Sequence, residues 1–426
     1  MYLLVLFCVL SAASASASAL PSLQAQDAPS YVALPLTRKR SVDSAAKHSR
    51  RAFSSSLSHK TPAHYTIDVK IGTPPQALSL VLDTGSSDIW AYSPGAESSC
   101  PKCTSTFYDP TKSSTAKSRD DLGLFNITYA SENSAVLGYY VGDTLKTGGV
   151  SANMVLGVAT KAHAGDPPGG IMGISFSANE ASVYQSDIKY PGYIDSLYKQ
   201  GIIAVRGYSI FLNELIPSPS RHRHNSDTTP GTIIFGGYDK SKWTGALVPF
   251  PLVEPSPEGA IELDIGGPVI AFVVGGETFS VPSNQKYTVL LDTGTTLTYL
   301  PKSQFAAIAD ALAAELYDAE GGLYAVSCDY ASDPGGIGFE FANQAGDDLL
   351  IAVPWPEMIL PDSGLADGVC MLGLSPMPDG EGFYTLGDTF LRSAYVLFNY
   401  DTLTVGLAQA SYDNSCSDCV QPLIPS

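Results

Sequence analysis

From His64 onward the chain alternates. Tyr65, Ile67, Val69 and Ile71 are apolar, while His64, Thr66, Asp68 and Lys70 between them are polar. A period of two puts every second side chain on one face, so the pattern predicts a half-buried strand over 64–71. Gly72-Thr-Pro-Pro-Gln76 predicts a turn, and Ala77-Leu-Ser-Leu-Val-Leu82 predicts a more deeply buried strand. Short runs of the same kind, punctuated by Gly pairs, recur at Thr232–Phe235, Ile261–Ile265 and Val289–Leu291. A helical period stands out over Ser303–Tyr317, where Phe305, Ile308, Ala309, Leu312 and Leu316 fall on one face and Ser303 is placed to cap the start. Pro217–Pro230, with Arg221, His222, Arg223 and His224, predicts a solvated surface loop, although its histidines could also bind a metal. The pattern describes a mainly β chain with a few short helices.

One stretch of this pattern occurs twice. Val81-Leu-Asp83-Thr84-Gly85-Ser86-Ser87 returns as Leu290-Leu-Asp292-Thr293-Gly294-Thr295-Thr296, 209 residues later. A second pair follows in the same order: Ile171-Met172-Gly173 ends 90 residues after the first aspartate, and Thr385-Leu386-Gly387 ends 95 residues after the second. Two motifs repeated in order at nearly equal offsets predict two homologous lobes, here 61–240 and 241–410. Each lobe carries one aspartate on a tight turn after a buried strand. A lone Asp-Thr-Gly is an ordinary turn signal; duplication in matched apolar surroundings is what makes it specific.

Composition narrows the classes. The 426 residues are 44% hydrophobic and 15% charged, with 39 Gly and 30 Pro, which suits a packed, turn-rich chain of two to three domains. The net charge of −18 argues against nucleic acid or an anionic membrane as a partner. No internal run of 18 apolar residues suggests a membrane channel or transporter. The first residues, Tyr2 to Leu10 and then a Ser/Ala run, predict a signal peptide over 1–19, and hence secretion. Residues 20–60 hold seven Lys and Arg against two Asp, leaving 17 basic and 40 acidic residues for 61–426. A basic leader on an acidic body predicts a propeptide docked by charge, with Lys39-Arg40 and Arg50-Arg51 as processing steps, although a solvated linker has the same composition. The C-terminus, Cys419 to Ser426, has no hydrophobic tail, so no lipid anchor is expected.

Once Cys8 leaves with the signal, Cys100, Cys103, Cys328, Cys370, Cys416 and Cys419 remain. An even count in an oxidising compartment predicts disulfides, with 15 formal pairings. The two Cys-x-x-Cys pairs could hold zinc, but they lie more than 300 residues apart, far from ribbon spacing.

The duplicated turns carry the chemistry. The Gly after each Asp-Thr permits close backbone approach, so amides can hold the carboxylate. Each Thr hydroxyl can reach the opposite lobe, and Ser86 and Thr295 can orient the outer oxygens. A two-fold axis would bring Asp83 and Asp292 face to face. Two carboxyls a few Å apart cannot both ionise easily, so they share a proton and titrate as a unit. The charged member can then take a proton from water while the protonated one polarises a carbonyl. That chemistry hydrolyses peptide bonds without a covalent intermediate or cofactor. Two other classes remain open: a binding protein on the same fold that has lost catalysis, and a glycosidase using two Asp.

These residues resemble the pepsin-like aspartic proteases, specifically the secreted fungal type, over most of 64–410. The resemblance implies a bilobal fold of two β-barrels with the cleft between them, Asp83 and Asp292 as the catalytic pair, and Thr84, Gly85, Ser86, Thr293, Gly294 and Thr295 as their supports. Ser87-Asp88-Ile89-Trp90 is similar to the family segment whose Trp supports a flap tyrosine. Ile127-Thr128-Tyr129 is similar to the flap itself, with Tyr129 closing over substrate. Apolar side chains near Val81, Tyr129 and Ile171 then favour hydrophobic residues beside the scissile bond. Cys328 and Cys370 fit the family's C-terminal-lobe bridge.

The sequence departs from the family in three places. Tyr129-Ala-Ser-Glu-Asn-Ser134 lacks the usual glycines, Cys100 and Cys103 are more tightly spaced than the family's small bridged loop, and Cys416 and Cys419, in the tail 411–426, lie beyond the family core. A local bridge is expected for the last pair. Asn126-Ile-Thr128 is an N-glycosylation sequon on a strand next to the flap. The expected partners are a protein or peptide substrate and the chain's own propeptide, and the expected state is a monomer without a metal.

Overall fold

The computed structural model describes residues 31–39, 64–96, 106–128, 135–161, 169–215, 230–252, 264–281, 286–319, 322–342, 348–361, 365–380, 383–412, 416 and 418–425. Strands dominate them, and none of the five α-helices exceeds the ten residues of Lys302–Ala311. No helix among the described residues is long and apolar enough to cross a membrane.

The alternating run at 64–71 is a strand, His64–Ile71, with Tyr65, Ile67, Val69 and Ile71 all at most 2% exposed. It pairs antiparallel with Gln76–Asp83 across the turn at 72–75. The strands expected at 232–235 and 289–291 are Gly231–Phe235 and Thr288–Leu291. The strand expected at 261–265 is described from Asp264, as Asp264–Gly266. The surface loop expected at 217–230 lies, Pro230 apart, outside the described residues.

The helix is shorter than its apolar period implied. It runs Lys302–Ala311 and ends where Ala313 turns left-handed, at φ 46°. Leu316 lies in the strand Glu315–Asp318 and is 54% exposed, so its match to the helical face was coincidental. Ser303 does not cap the helix. Instead Asp379, distant in sequence, accepts from the Ser303 backbone N–H at 3.1 Å and from its hydroxyl at 3.0 Å.

A single large sheet joins the halves. In order across it lie Trp243–Pro251, Thr404–Ala410, Ala394–Asn399, Gly207–Leu212, Gly231–Phe235, Val32–Lys39, His64–Ile71 and then Gln76–Asp83. Gly207–Leu212, from the first half, pairs with Ala394–Asn399, from the second. The leader takes part: Val32–Lys39 lies between Gly231–Phe235 and His64–Ile71, with Val32, Leu34 and Leu36 at most 5% exposed. One apolar core extends through both halves, and a smaller aromatic cluster under the first half contains Trp90, Tyr92, Phe125 and Tyr140.

Cys328 and Cys370 are bridged, and Cys416 and Cys419 form a local bridge. Cys100 and Cys103 lie outside the described residues, as does Tyr129.

Candidate active site

Each aspartate stands where a buried strand runs out. Asp83 ends Gln76–Asp83, and Asp292 follows Thr288–Leu291. Beside each strand lies the apolar segment that ends in Gly, paired parallel: Val81 to Asp83 against Ile171 to Gly173, and Leu290 and Leu291 against Thr385 and Leu386. The segment beyond continues to hold the turn. Ile174 N–H donates to the Asp83 carbonyl at 3.0 Å, and Asp292 N–H donates to the Leu386 carbonyl at 3.1 Å. The strand ends are therefore fixed from the side and not only through the chain.

The turns themselves are hydrogen-bonded alike. Gly85 N–H donates to Asp83 Oδ1 at 2.8 Å, and Gly294 N–H donates to Asp292 Oδ1 at 2.7 Å. The Ser86 and Thr295 hydroxyls donate to the outer oxygens of Asp83 and Asp292. The threonines cross between halves. Thr84 Oγ1 donates to the Leu291 carbonyl at 2.6 Å and accepts from Thr293 N–H at 3.0 Å. Thr293 Oγ1 donates to the Leu82 carbonyl at 2.8 Å and accepts from Thr84 N–H at 3.2 Å. Four bonds, two from each side, lock the strand ends together, and neither threonine retains an unmatched buried hydroxyl.

That lock brings the acids together. A side-chain carbon added to Gly294 would stand 2.5 Å from Asp83 Oδ1 and 3.1 Å from Asp292 Oδ1; one added to Gly85 would stand 2.8 Å from Asp292 Oδ1. Neither glycine tolerates a substituent, because the opposite carboxyl fills that space. The two carboxyls lie within hydrogen-bonding reach of each other, and both are buried, at 5% and 8% exposed. Burial, and then the Asp292 charge beside it, push Asp83 well above the ordinary carboxylate range. Such a pair holds one proton between two acids at pH values where separate carboxyls are both ionised.

The remaining residues singled out in the sequence lie around this centre. Trp90 is fully buried, edge-on to Tyr92 with ring centroids 5.1 Å apart, and 6.5 Å from Phe125. Val81 and Ile171, at 2% and 5% exposed, belong to the same aromatic cluster. They form the packed wall beneath the first turn.

Three further buried acids, Asp88, Glu180 and Asp388, were given no role by the sequence. Asp88 accepts from Tyr190 Oη at 2.6 Å and from Ala181 N–H at 2.8 Å. Glu180 accepts from Tyr190 N–H at 2.9 Å, and burial pushes it up to about 9. Asp388, 1% exposed, is pushed well above the usual range by burial, against the pull of Arg392. The signal available for two of them was position: Asp88 falls five residues after the first aspartate, and Asp388 directly follows the Gly of the second threading segment.

The chain matches the family model for eukaryotic aspartyl protease over residues 64–410. It is 36% identical over 356 residues to an acid protease of Saccharomycopsis fibuligera, an alignment covering 82% of this chain and 81% of that one. Secreted aspartic protease 8 of Candida albicans is 32% identical over 381 residues, covering 86% and 81%. A probable aspartic-type endopeptidase, opsB, of Aspergillus oryzae is 30% identical over 421 residues, covering 92% and 79%. Coverage of this breadth spans both Asp-Thr-Gly turns and the sheet that joins them, and the chain belongs to the eukaryotic aspartyl protease family, the pepsin-like aspartic endopeptidases.

Proposed function

We propose that the chain is a secreted acid endopeptidase in which Asp83 and Asp292 activate water between them. The supporting observation is the pair of near-identical turns, locked by Thr84 and Thr293, that present two carboxyls to each other. One carboxylate takes a proton from the attacking water as the other, protonated, donates to the peptide carbonyl oxygen. The tetrahedral diol collapses when the amine leaves with a proton, and the pair regains its starting state. Activity needs one proton on the pair. It falls as pH rises through the raised upper titration and again at very low pH, where both acids are protonated.

An extended peptide would lie across both halves, adding main-chain hydrogen bonds as a strand. Tyr129 would close over it, supported by Trp90, and the apolar wall built on Val81 and Ile171 favours hydrophobic residues on either side of the scissile bond. Residues 20–60 act as a propeptide. Val32–Lys39 fills a middle position in the sheet, so its removal leaves Gly231–Phe235 and His64–Ile71 with open edges for another segment to pair.

The test is Asp83→Asn and Asp292→Asn in the processed enzyme, assayed on a peptide library over a range of pH, with and without pepstatin. Each substitution removes the acid–base pair and should lower kcat about 10²–10⁴-fold. Full activity in either folded variant refutes the assignment.

A further inference from the structure

The sequence holds one Asn-X-Ser/Thr triplet without proline, Asn126-Ile127-Thr128. It falls on the strand Leu124–Thr128, which pairs antiparallel with Ala135–Thr147. Alternation divides this hairpin into two faces. Phe125 and Val136 point into the aromatic cluster and are fully buried, with Phe125 edge-on to Tyr140 at 5.3 Å. The other face carries Leu124, Asn126 and Thr128 opposite Tyr139, Leu137 and Ala135 in register.

The outer face is unusual in what it exposes. Leu124 is 74% exposed, and Leu137 and Tyr139 are each 37% exposed. Asn126 is directly opposite Leu137, two residues from Leu124 on its own strand and diagonal to Tyr139, a separation of about 7–8 Å in a ladder of this kind. Both sequon residues, Asn126 and Thr128, are exposed. Among the described residues the Asn126 side-chain amide has no hydrogen-bond partner, while its backbone carbonyl accepts from Gln185 Nε2 at 2.5 Å. Among the described strands Leu124–Thr128 pairs with Ala135–Thr147 alone, and the helix Ala181–Ser186 reaches it through Gln185. Three exposed large apolar side chains thus surround an exposed amide that has no partner among the described residues, and contiguous apolar surface of this kind marks a contact site.

We propose that Asn126 carries an N-linked oligosaccharide whose first sugars cover Leu124, Leu137 and Tyr139. The linkage forms between the Asn126 amide nitrogen and the anomeric carbon of the transferred sugar, with loss of the lipid-diphosphate leaving group of the secretory pathway's own donor. A pyranose has one face of C–H groups, which matches Tyr139 and the leucines, while its hydroxyls keep the surface wetted. Because Phe125 occupies the opposite face, the sugar leaves the aromatic cluster under Trp90 undisturbed. The inference rests on secretion, which the proposed function also requires.

The test uses the full chain with its own leader, expressed in a yeast secretory host. Protein from the medium is weighed before and after treatment with peptide-N-glycosidase F. The expected result is one loss of sugar mass, with Asn126 converted to Asp in the corresponding peptide. Thr128→Ser should keep the modification, and Asn126→Gln and Thr128→Ala should abolish it. Chain secreted with an unmodified Asn126 overturns the proposal and leaves the secretion reading standing; chain retained in the cell without sugar overturns both. The covering role has its own readout. Enzymatic removal of the sugar from the wild-type protein should lower the onset temperature of heat-induced aggregation and increase binding of an apolar dye, and unchanged values refute it.

Discussion

The two halves build the same turn and support it differently. Asp83 and Asp292 receive the same set of bonds, from a glycine N–H and a hydroxyl three residues on, and their threonines exchange the same contacts across the interface. Behind them the symmetry ends. The residue five positions after Asp83 is Asp88, a buried acid, whereas the one five after Asp292 is Leu297, a core residue. After the threading glycine the roles reverse, with Ile174 in the first half and Asp388 in the second. The first half meets its buried acids, Asp88 and Glu180, with a phenol and backbone N–H groups. The second places Arg392 beside Asp388 and pairs it with Glu357, both partners 3% exposed. Duplication has preserved the geometry that the reaction needs and left each half to neutralise its buried charge in its own way.

Arg392 gives the largest expected effect on stability. Its guanidinium bonds the Glu357 carboxylate and, through Nη2, the Glu357 carbonyl at 2.7 Å; Glu357 also accepts from Leu215 N–H at 2.9 Å. Arg392→Met leaves that carboxylate buried without its cation, and should cost about 3–5 kcal/mol in urea unfolding. Arg392→Met combined with Glu357→Leu should recover much of the loss, because an uncompensated charge, more than a missing attraction, is what destabilises. An equal loss in the single and double variants would mean that the pair stabilises by something other than charge balance.

The threonines test the symmetric part of the comparison. Thr84→Val removes the donor to the Leu291 carbonyl and the acceptor for Thr293 N–H; Thr293→Val does the same to Leu82 and Thr84. Valine keeps the volume, so the cost is that of buried backbone groups left unpaired, about 1–3 kcal/mol. The two variants should lose similar stability. A clear disparity would show that the turns are alike in shape but carry unequal strain.

How much of this was legible in advance follows the same division. The strand at 64–71 could be read from its period of two, although His64 and Thr66 on the polar face are buried as well, and the one at 76–83 from its nearly continuous apolar run, which ends buried on both faces. The duplicated Asp-Thr-Gly was legible because local chemistry fixes it: a small residue, a hydroxyl and an acid in fixed order. The end of the helix after Ala311 was hidden, since Leu316 fits the helical face as well as Leu312 does, and only the left-handed turn at Ala313 separates them. The partners of Asp88 and Arg392 were also hidden. Tyr190 lies 102 residues from Asp88, and Glu357 lies 35 from Arg392, distances at which spacing carries no information about contact. The leader's charge was plain from composition, whereas its strand Val32–Lys39 became evident only from its pairing.

The sharpest separation between the halves comes from making the same change in each. Glu180 is fully buried, with Oε1 unpartnered, and burial raises it from an ordinary 4.5 to about 9. The folded chain therefore holds a proton there that the unfolded chain releases above about 4.5. Stability from this group is complete below that pH, falls as pH rises through the window from 4.5 to about 9, and changes no further above it. Glu180→Gln is neutral at every pH and can still accept from Tyr190 N–H. It should leave stability near pH 4 almost unchanged and raise it near pH 7 by on the order of 1–3 kcal/mol relative to wild type, measured as urea midpoints across that range. Asp88, also raised by burial, continues to contribute, so the slope should be reduced and not abolished. In the second half the same chemical change, Glu357→Gln, strips the charge that balances Arg392 and should lower stability near neutral pH. Opposite signs at pH 7 are what the two modes of neutralisation require. A loss in both variants would mean that Glu180 is ionised in the folded protein and that the first half balances its acids with a charge after all.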